Sequence, residues 1–167
     1  MTSTAPAARA ARSPAPAARG LRPWWLLIFL GGALGVVTGA WQTVERIAWA
    51  ADGTTASFCD VNAWLSCSSV FGHWQSSALG IPNSLIALPV FSVLAATGLA
   101  GLLGSRLSNA FVATALGLAV FMTAFIVWYM QQTAFAIGIL CLFCAGCALA
   151  VLVAGAGLTR VAAAQGA

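Results

Sequence analysis

The sequence predicts an all-α fold, an integral membrane four-transmembrane-helix bundle with an extracytoplasmic loop between helices one and two. Three observations carry that expectation. Of the 167 residues, 61% are hydrophobic and 6% charged, whereas soluble domains are roughly a quarter charged. Uncharged stretches long enough, at about 1.5 Å per residue, to cross a hydrocarbon core of about 30 Å recur along the chain. The seven basic residues are all arginine, and they fall between those stretches in a one-sided pattern.

Residues 1–22 are mostly Ala, Pro, Arg and Ser without apolar periodicity. Such a segment buries too little surface to offset the cost of ordering it, so a disordered, basic, cytosolic tail is expected. A membrane domain over 23–160 and a short cytosolic tail over 161–167 follow. The uncharged stretch Trp24 to Val44 is helix one. Ala48-Trp49-Ala50 has the small-x-small spacing of a processing site. The apolar run before it is about 20 residues rather than 7–15, and Glu45 and Arg46 intervene, so the segment reads as a retained helix.

A polar loop over 45–77 carries all three acidic residues (Glu45, Asp52 and Asp60), the one histidine (His73), and Cys59 and Cys67. Helix two spans 78–105, with Pro82 tolerated in its first turn and Pro89 expected to kink it. The 53 residues from Leu107 to Thr159 hold no charge, so they must cross twice. Their polar interruption, Tyr129 to Thr133, is the expected tight turn between helices three and four.

Arg9, Arg12, Arg19 and Arg22 precede helix one, Arg106 separates helices two and three, and Arg160 follows helix four. Only Arg46 falls on the opposite side. The positive-inside tendency then predicts a multi-pass protein of the cell (plasma or inner) membrane with both termini cytosolic. The 45–77 loop and the 131–133 turn face outward. The arginines form no basic run, which argues against nucleic acid as a partner and leaves membrane lipid as the surroundings. No charge lies within any expected span, which argues against ion or proton transport.

This topology uses no cysteine, so where the cysteines land is informative. Cys59 and Cys67 fall in the outer loop, and Cys141 falls roughly 12 Å down helix four at the helical rise. Four cysteines, Cys59, Cys67, Cys141 and Cys144, thus gather at the outer half of the bundle, where disulfides persist. One pair in a loop and one C-x-x-C pair at a helix end is what a dithiol relay requires, because exchange needs a sulfur of one pair to reach a sulfur of the other. The competing reading is a static loop staple with packing cysteines on helix four. Cys147 extends the pattern to C-x2-C-x2-C, a spacing iron–sulfur clusters use, yet the ferredoxin-type position for a fourth thiolate is Val151, so no metal site is expected. Cys147 reads as a spectator without a partner.

The segments CDVNAWLSCSSVF (Cys59 to Phe71), GIPNSL (Gly80 to Leu85) and CLFC (Cys141 to Cys144) resemble the vitamin K epoxide reductase family, in its bacterial quinone-reducing branch without a fused thioredoxin-like domain. The resemblance implies a thiol–disulfide oxidoreductase that re-oxidises an extracytoplasmic thioredoxin-fold thiol oxidase, a DsbA-like partner supplied as a separate protein. Electrons would pass to a membrane quinone, menaquinone or ubiquinone. It assigns Cys59 to the partner, Cys67 to exchange with Cys141, Cys144 to the quinone ring, Asn83 to a quinone oxygen and Phe71 to the pocket wall.

Asn83 is a polar group in an apolar stretch, and either a quinone carbonyl or a neighbouring backbone could satisfy it. Gly72-His73 departs from the hydroxyl pair that the family often has, so His73 is a candidate proton donor. Ala148 replaces the pocket tyrosine of the animal enzymes, which favours plain quinone reduction over epoxide reduction. The DsbB type places its C-x-x-C pair in the first outer loop, the reverse of the order here. The remaining alternative is a non-catalytic four-helix membrane scaffold or small carrier with a structural disulfide.

Overall fold

The structure, a computed structural model, describes residues 16–53 and 58–166. Four helices are long and apolar enough to cross a membrane. They are α1 (Pro16–Asp52), α3 (Asn83–Leu102), α4 (Asn109–Gln131) and α5 (Leu142–Gln165), with the short helix α2 (Ser68–Phe71) and a 3-10 turn (Trp74–Ser77) between α1 and α3. The chain is a multi-pass helical membrane protein. Its spans run up, down, up and down, which gathers the α1–α3 segment and the α4–α5 turn at one end, called here the cysteine end.

Three expected boundaries move. Helix one begins at Pro16 and runs to Asp52 rather than spanning Trp24–Val44, because its flanks are rich in alanine and proline suits a first helical turn. Residues 1–15 of the expected tail lie outside the described residues. Glu45 and Arg46 are consequently helical, in the turns that follow the charge-free stretch Trp24–Val44. Helix two starts at Asn83 rather than Ala78, since the preceding Gly80 adopts a left-handed backbone (φ +81°) that ends the turn before it.

The third shift matters most for the site. The turn expected at Tyr129–Thr133 is helical, α4 continuing to Gln131 and then through a π-helical turn, Gln132–Ile137. The chain reverses at Gly138, whose φ of +78° an L side chain rarely adopts. Polar glutamines at a membrane surface do not break a helix; a left-handed glycine does. As a result α5 opens at Leu142 with Cys141 as its N-cap, not 12 Å down the helix.

α1 lies between α3 and α5, α5 also packs on α4, and small residues allow the approach. A Cβ at Gly157 of α5 would stand 2.7 Å from the Trp24 carbonyl oxygen, and one at Gly98 of α3 would overlap the backbone of Phe29. Without a strong hydrophobic force between helices in lipid, such close packing is what holds them together. Ile28, Phe91, Leu94, Val112 and Leu158 fill the main core with no exposed surface. A second buried cluster at the cysteine end contains Cys59, Cys67, Val70, Phe71, Tyr129, Cys141, Phe143 and Cys144.

Candidate active site

The α1–α3 segment is organised by two side chains that accept backbone hydrogen bonds. Asn62 Oδ1 accepts from the N–H groups of Trp64 (2.9 Å) and Leu65 (3.0 Å) and closes a turn. Asp60 Oδ1 accepts from Ser66 Oγ (2.7 Å), Cys67 N (2.8 Å) and Ser68 N (3.0 Å). The carboxylate thereby fixes the backbone that carries Cys67.

That segment also joins the α4–α5 turn. Leu65 and Leu140 form a parallel bridge, with Ser66 N–H donating to Leu140 O (3.1 Å) and Leu140 N–H to Trp64 O (2.8 Å). The two strands of chain that carry Cys67 and Cys141 are therefore hydrogen-bonded one residue away from each cysteine. Cys59 and Cys67 are joined as a disulfide with their Cα atoms 5.8 Å apart. Cys141 is a free thiol, and its sulfur lies 3.4 Å from that of Cys67. All three are within 1% of complete burial.

The Cys144 thiol hydrogen-bonds to Cys141 and holds its pKa below the ordinary thiol value, against the opposing effect of burial; backbone N–H groups of Cys144 and Phe143 at the start of α5 add to the lowering. Cys144, one turn on, is also a free thiol. It borders a small cavity of about 30 Å³ between all four spans, with walls formed by Gln42, Asn83, Ala87, Met122, Phe125, Ile126, Tyr129 and Cys147. The volume is far below the roughly 300–1,000 Å³ usual for small-molecule sites, so a ring-sized ligand must part the lining side chains to enter.

Asn83 is the first residue of α3 and sits on this cavity. Its Nδ2 donates to Gln75 O (2.7 Å) and its Oδ1 accepts from Ala78 N (3.2 Å). A neighbouring backbone thus satisfies most of the side chain, and one Nδ2 hydrogen is left over for a ligand oxygen. Phe71 is buried beside the disulfide rather than on the Cys144 cavity. It packs edge-on to Trp49 at 6.3 Å and borders a second, smaller cavity shared with Asn83.

Other residues depart from expectation. His73 is exposed and caps the 3-10 turn, and it lines neither cavity. Cys147 has a partner after all: its sulfur lies 3.4 Å from Thr38 Oγ1, and it borders the Cys144 cavity. Tyr129, expected in a surface turn, is 5% exposed and lines the same cavity. It offers a hydroxyl to the pocket from a different helix than Ala148 occupies. Its helical run with Met122 and Ile126, the three at i, i+4 and i+7, was the signal that could have placed it.

The Vitamin K epoxide reductase family model matches residues 25–156, which takes in all four spans and the site. The chain belongs to the vitamin K epoxide reductase family. Membership, with a disulfide and free thiols at one end of the bundle, defines a membrane thiol–disulfide oxidoreductase. No curated protein sequence matches the chain.

Proposed function

We propose that the protein re-oxidises an extracytoplasmic thioredoxin-fold partner and passes its electrons through two cysteine pairs to a membrane quinone, with the cysteine end facing outward. The 3.4 Å separation of the Cys67 and Cys141 sulfurs carries the reading. A structural staple would have no reason to hold a free thiol at attack distance from one of its own sulfurs.

The steps balance as disulfide exchange. A partner thiolate attacks Cys59, breaking the Cys59–Cys67 bond and releasing Cys67 as a thiolate. The partner's second thiol then displaces Cys59, leaving the partner oxidised and the loop pair reduced. Cys67 next attacks Cys141 of a Cys141–Cys144 disulfide, and Cys59 resolves that intermediate. The loop disulfide is restored and Cys141 and Cys144 are left as thiols, the state seen here.

Quinone, when bound, accepts two electrons and two protons as the Cys141–Cys144 bond closes again. The lining of the cavity, once parted, suits it: Ala87, Met122, Phe125 and Ile126 present apolar surface to a flat ring. Asn83 has a donor hydrogen to spare, and Tyr129 brings a hydroxyl. Menaquinone and ubiquinone share the ring carbonyls that such a pocket would hold. Solvent has little access to Cys144, which is 4% exposed, and this limits loss of electrons to other oxidants.

The test is trapping. A partner whose second cysteine is replaced by alanine cannot displace Cys59, so its remaining thiolate, having opened the Cys59–Cys67 disulfide, should accumulate as a mixed disulfide with Cys59 that survives non-reducing electrophoresis. Cys59→Ala should block partner oxidation and form no such adduct. Absence of the adduct with the partner present would remove the assignment of Cys59.

A further inference from the structure

Arg46 is a charged group that the relay above leaves unused. It belongs to a polar row: Thr38, Gln42 and Arg46 follow at intervals of four on α1, so they stack on one face. Each meets the site at a different depth. Thr38 contacts Cys147, and Gln42 borders the cavity beside Cys144. Arg46 borders the second cavity, a narrow one of about 10 Å³, together with Gln42, Phe71, Pro82 and Asn83. The two cavities share Gln42 and Asn83.

The guanidinium is held in place without being satisfied. Its carbon lies 4.7 Å from the Trp49 ring centre and 5.7 Å from that of Phe71, within cation–π reach of both rings. Its Nε and Nη1 are buried and have no hydrogen-bond partner. A buried charged donor left unpaired is strongly destabilising, and an ionisable group facing a membrane-protein interior calls for a functional partner. The missing acceptor is an oxygen able to take up negative charge, at the junction of the cavities where Asn83 also faces.

Resting on the quinone reading above, we infer that Arg46 is a head-group binding residue: its Nε–H and Nη1–H donate to a quinone oxygen at that junction. The chemistry fits the position. Closing the Cys141–Cys144 bond would deliver two electrons to the ring, and its oxygens would then carry more negative charge. A guanidinium stays protonated throughout and steadies that charge. It cannot supply the proton, so it acts by binding and electrostatics.

The full-length protein, purified into lipid nanodiscs, tests this with 2-methyl-1,4-naphthoquinone as the probe and quenching of tryptophan fluorescence as the readout of Kd. Arg46→Gln should raise Kd about tenfold or more and raise KM for the quinone. Disulfide exchange between the loop pair and Cys141, followed by alkylation with a small dithiol as donor, should stay at the wild-type rate. Arg46→Lys, which keeps the charge but loses Nε–H and the planar fork, should raise Kd by about threefold.

Wild-type and Arg46→Gln Kd values within twofold of each other overturn the assignment while leaving the quinone reading intact. Wild-type protein that binds no quinone overturns both. An Arg46→Gln effect seen only in phosphatidylglycerol discs and not in phosphatidylcholine discs makes a lipid phosphate the acceptor and overturns the quinone assignment. Should Arg46→Gln fail to fold, a Kd for Arg46→Lys equal to wild type overturns it equally.

Discussion

The backbone of Leu65 is bridged to that of Leu140, and each of these residues lies next to or near the cysteine it delivers, Cys67 on one strand and Cys141 on the other. The approach of the Cys67 and Cys141 sulfurs is therefore a property of backbone pairing. Two segments separated by more than seventy residues are held in register by main-chain hydrogen bonds, and the sulfurs follow. Sequence changes at the exposed positions between them, such as Val61 and Trp64, need not disturb it.

Asp60 holds one half of that register, and its removal should be felt at the cysteines. Asp60→Ala strips the acceptor from Ser66 Oγ and from two backbone N–H groups. Hydrogen bonds to a charged group contribute about 1.5–3 kcal/mol each, and each 1.36 kcal/mol in a barrier is about tenfold in rate. Exchange between Cys67 and Cys141, timed by alkylation, should slow by at least about tenfold while the helices remain. Asp60→Asn keeps one acceptor oxygen and should lose less. Equal rates in Asp60→Ala and wild type would show that the Leu65–Leu140 pairing alone fixes the register.

The bundle was legible in the sequence because lipid imposes a coarse and additive signal: about twenty apolar residues without charge per crossing. The cysteine pairs were legible because their spacing is a chemical requirement. What the sequence hid lay at the helix ends. The Tyr129–Thr133 stretch looked like a turn because glutamines and threonine are polar. At a membrane surface, however, polarity marks the water boundary and not a break in the helix, and the break waited for Gly138. That shift of a few residues moved Tyr129 into the pocket and Cys141 to the top of α5. Arg46 was read only as a topology signal, although its four-residue spacing from Gln42 and Thr38 was visible throughout.

The orientation proposed for the cysteine end predicts where labels react. Cys59 and Cys67 have no exposed surface, so a membrane-impermeant thiol reagent would report burial rather than sidedness at those positions. Trp64, on the same segment, is 75% exposed, and a Trp64→Cys substitution gives the reagent an accessible target. It should be labelled from outside intact cells, and a reporter fused after Ala167 should read as cytosolic. Labelling of Trp64→Cys only after the cells are opened would invert the topology and bring the relay into the wrong compartment.

The lowered pKa of Cys141 gives a pH signature. Thiolate is the reactive form, and a lowered pKa means that it persists to lower pH than for an ordinary thiol. The rate of Cys141 alkylation by iodoacetamide, read from its peptide by mass spectrometry, should therefore rise at a pH below the usual thiol range near 8.5. The principal cause is the hydrogen bond from the Cys144 thiol, so Cys144→Ala should move the profile to higher pH. A profile unchanged by Cys144→Ala would leave the backbone N–H groups at the start of α5 as the sole cause.

The sharpest division between relay and scaffold lies in CLFCAGC itself, where Cys144 and Cys147 border the same cavity and differ in what they face. Cys144 is one helical turn from Cys141 and hydrogen-bonds to it, whereas Cys147 contacts Thr38 and sits another turn deeper. Serine is close to cysteine in size, so neither substitution should leave a cavity or unfold the bundle. Cys144→Ser should abolish thiol-dependent quinone reduction, because no second sulfur remains to close the Cys141–Cys144 bond. Cys147→Ser keeps a hydrogen-bonding group opposite Thr38 and should retain activity within about twofold of wild type, with thermal stability altered by no more than about 1 kcal/mol. Loss of activity in both variants alike, or in neither, would make this stretch a packing element.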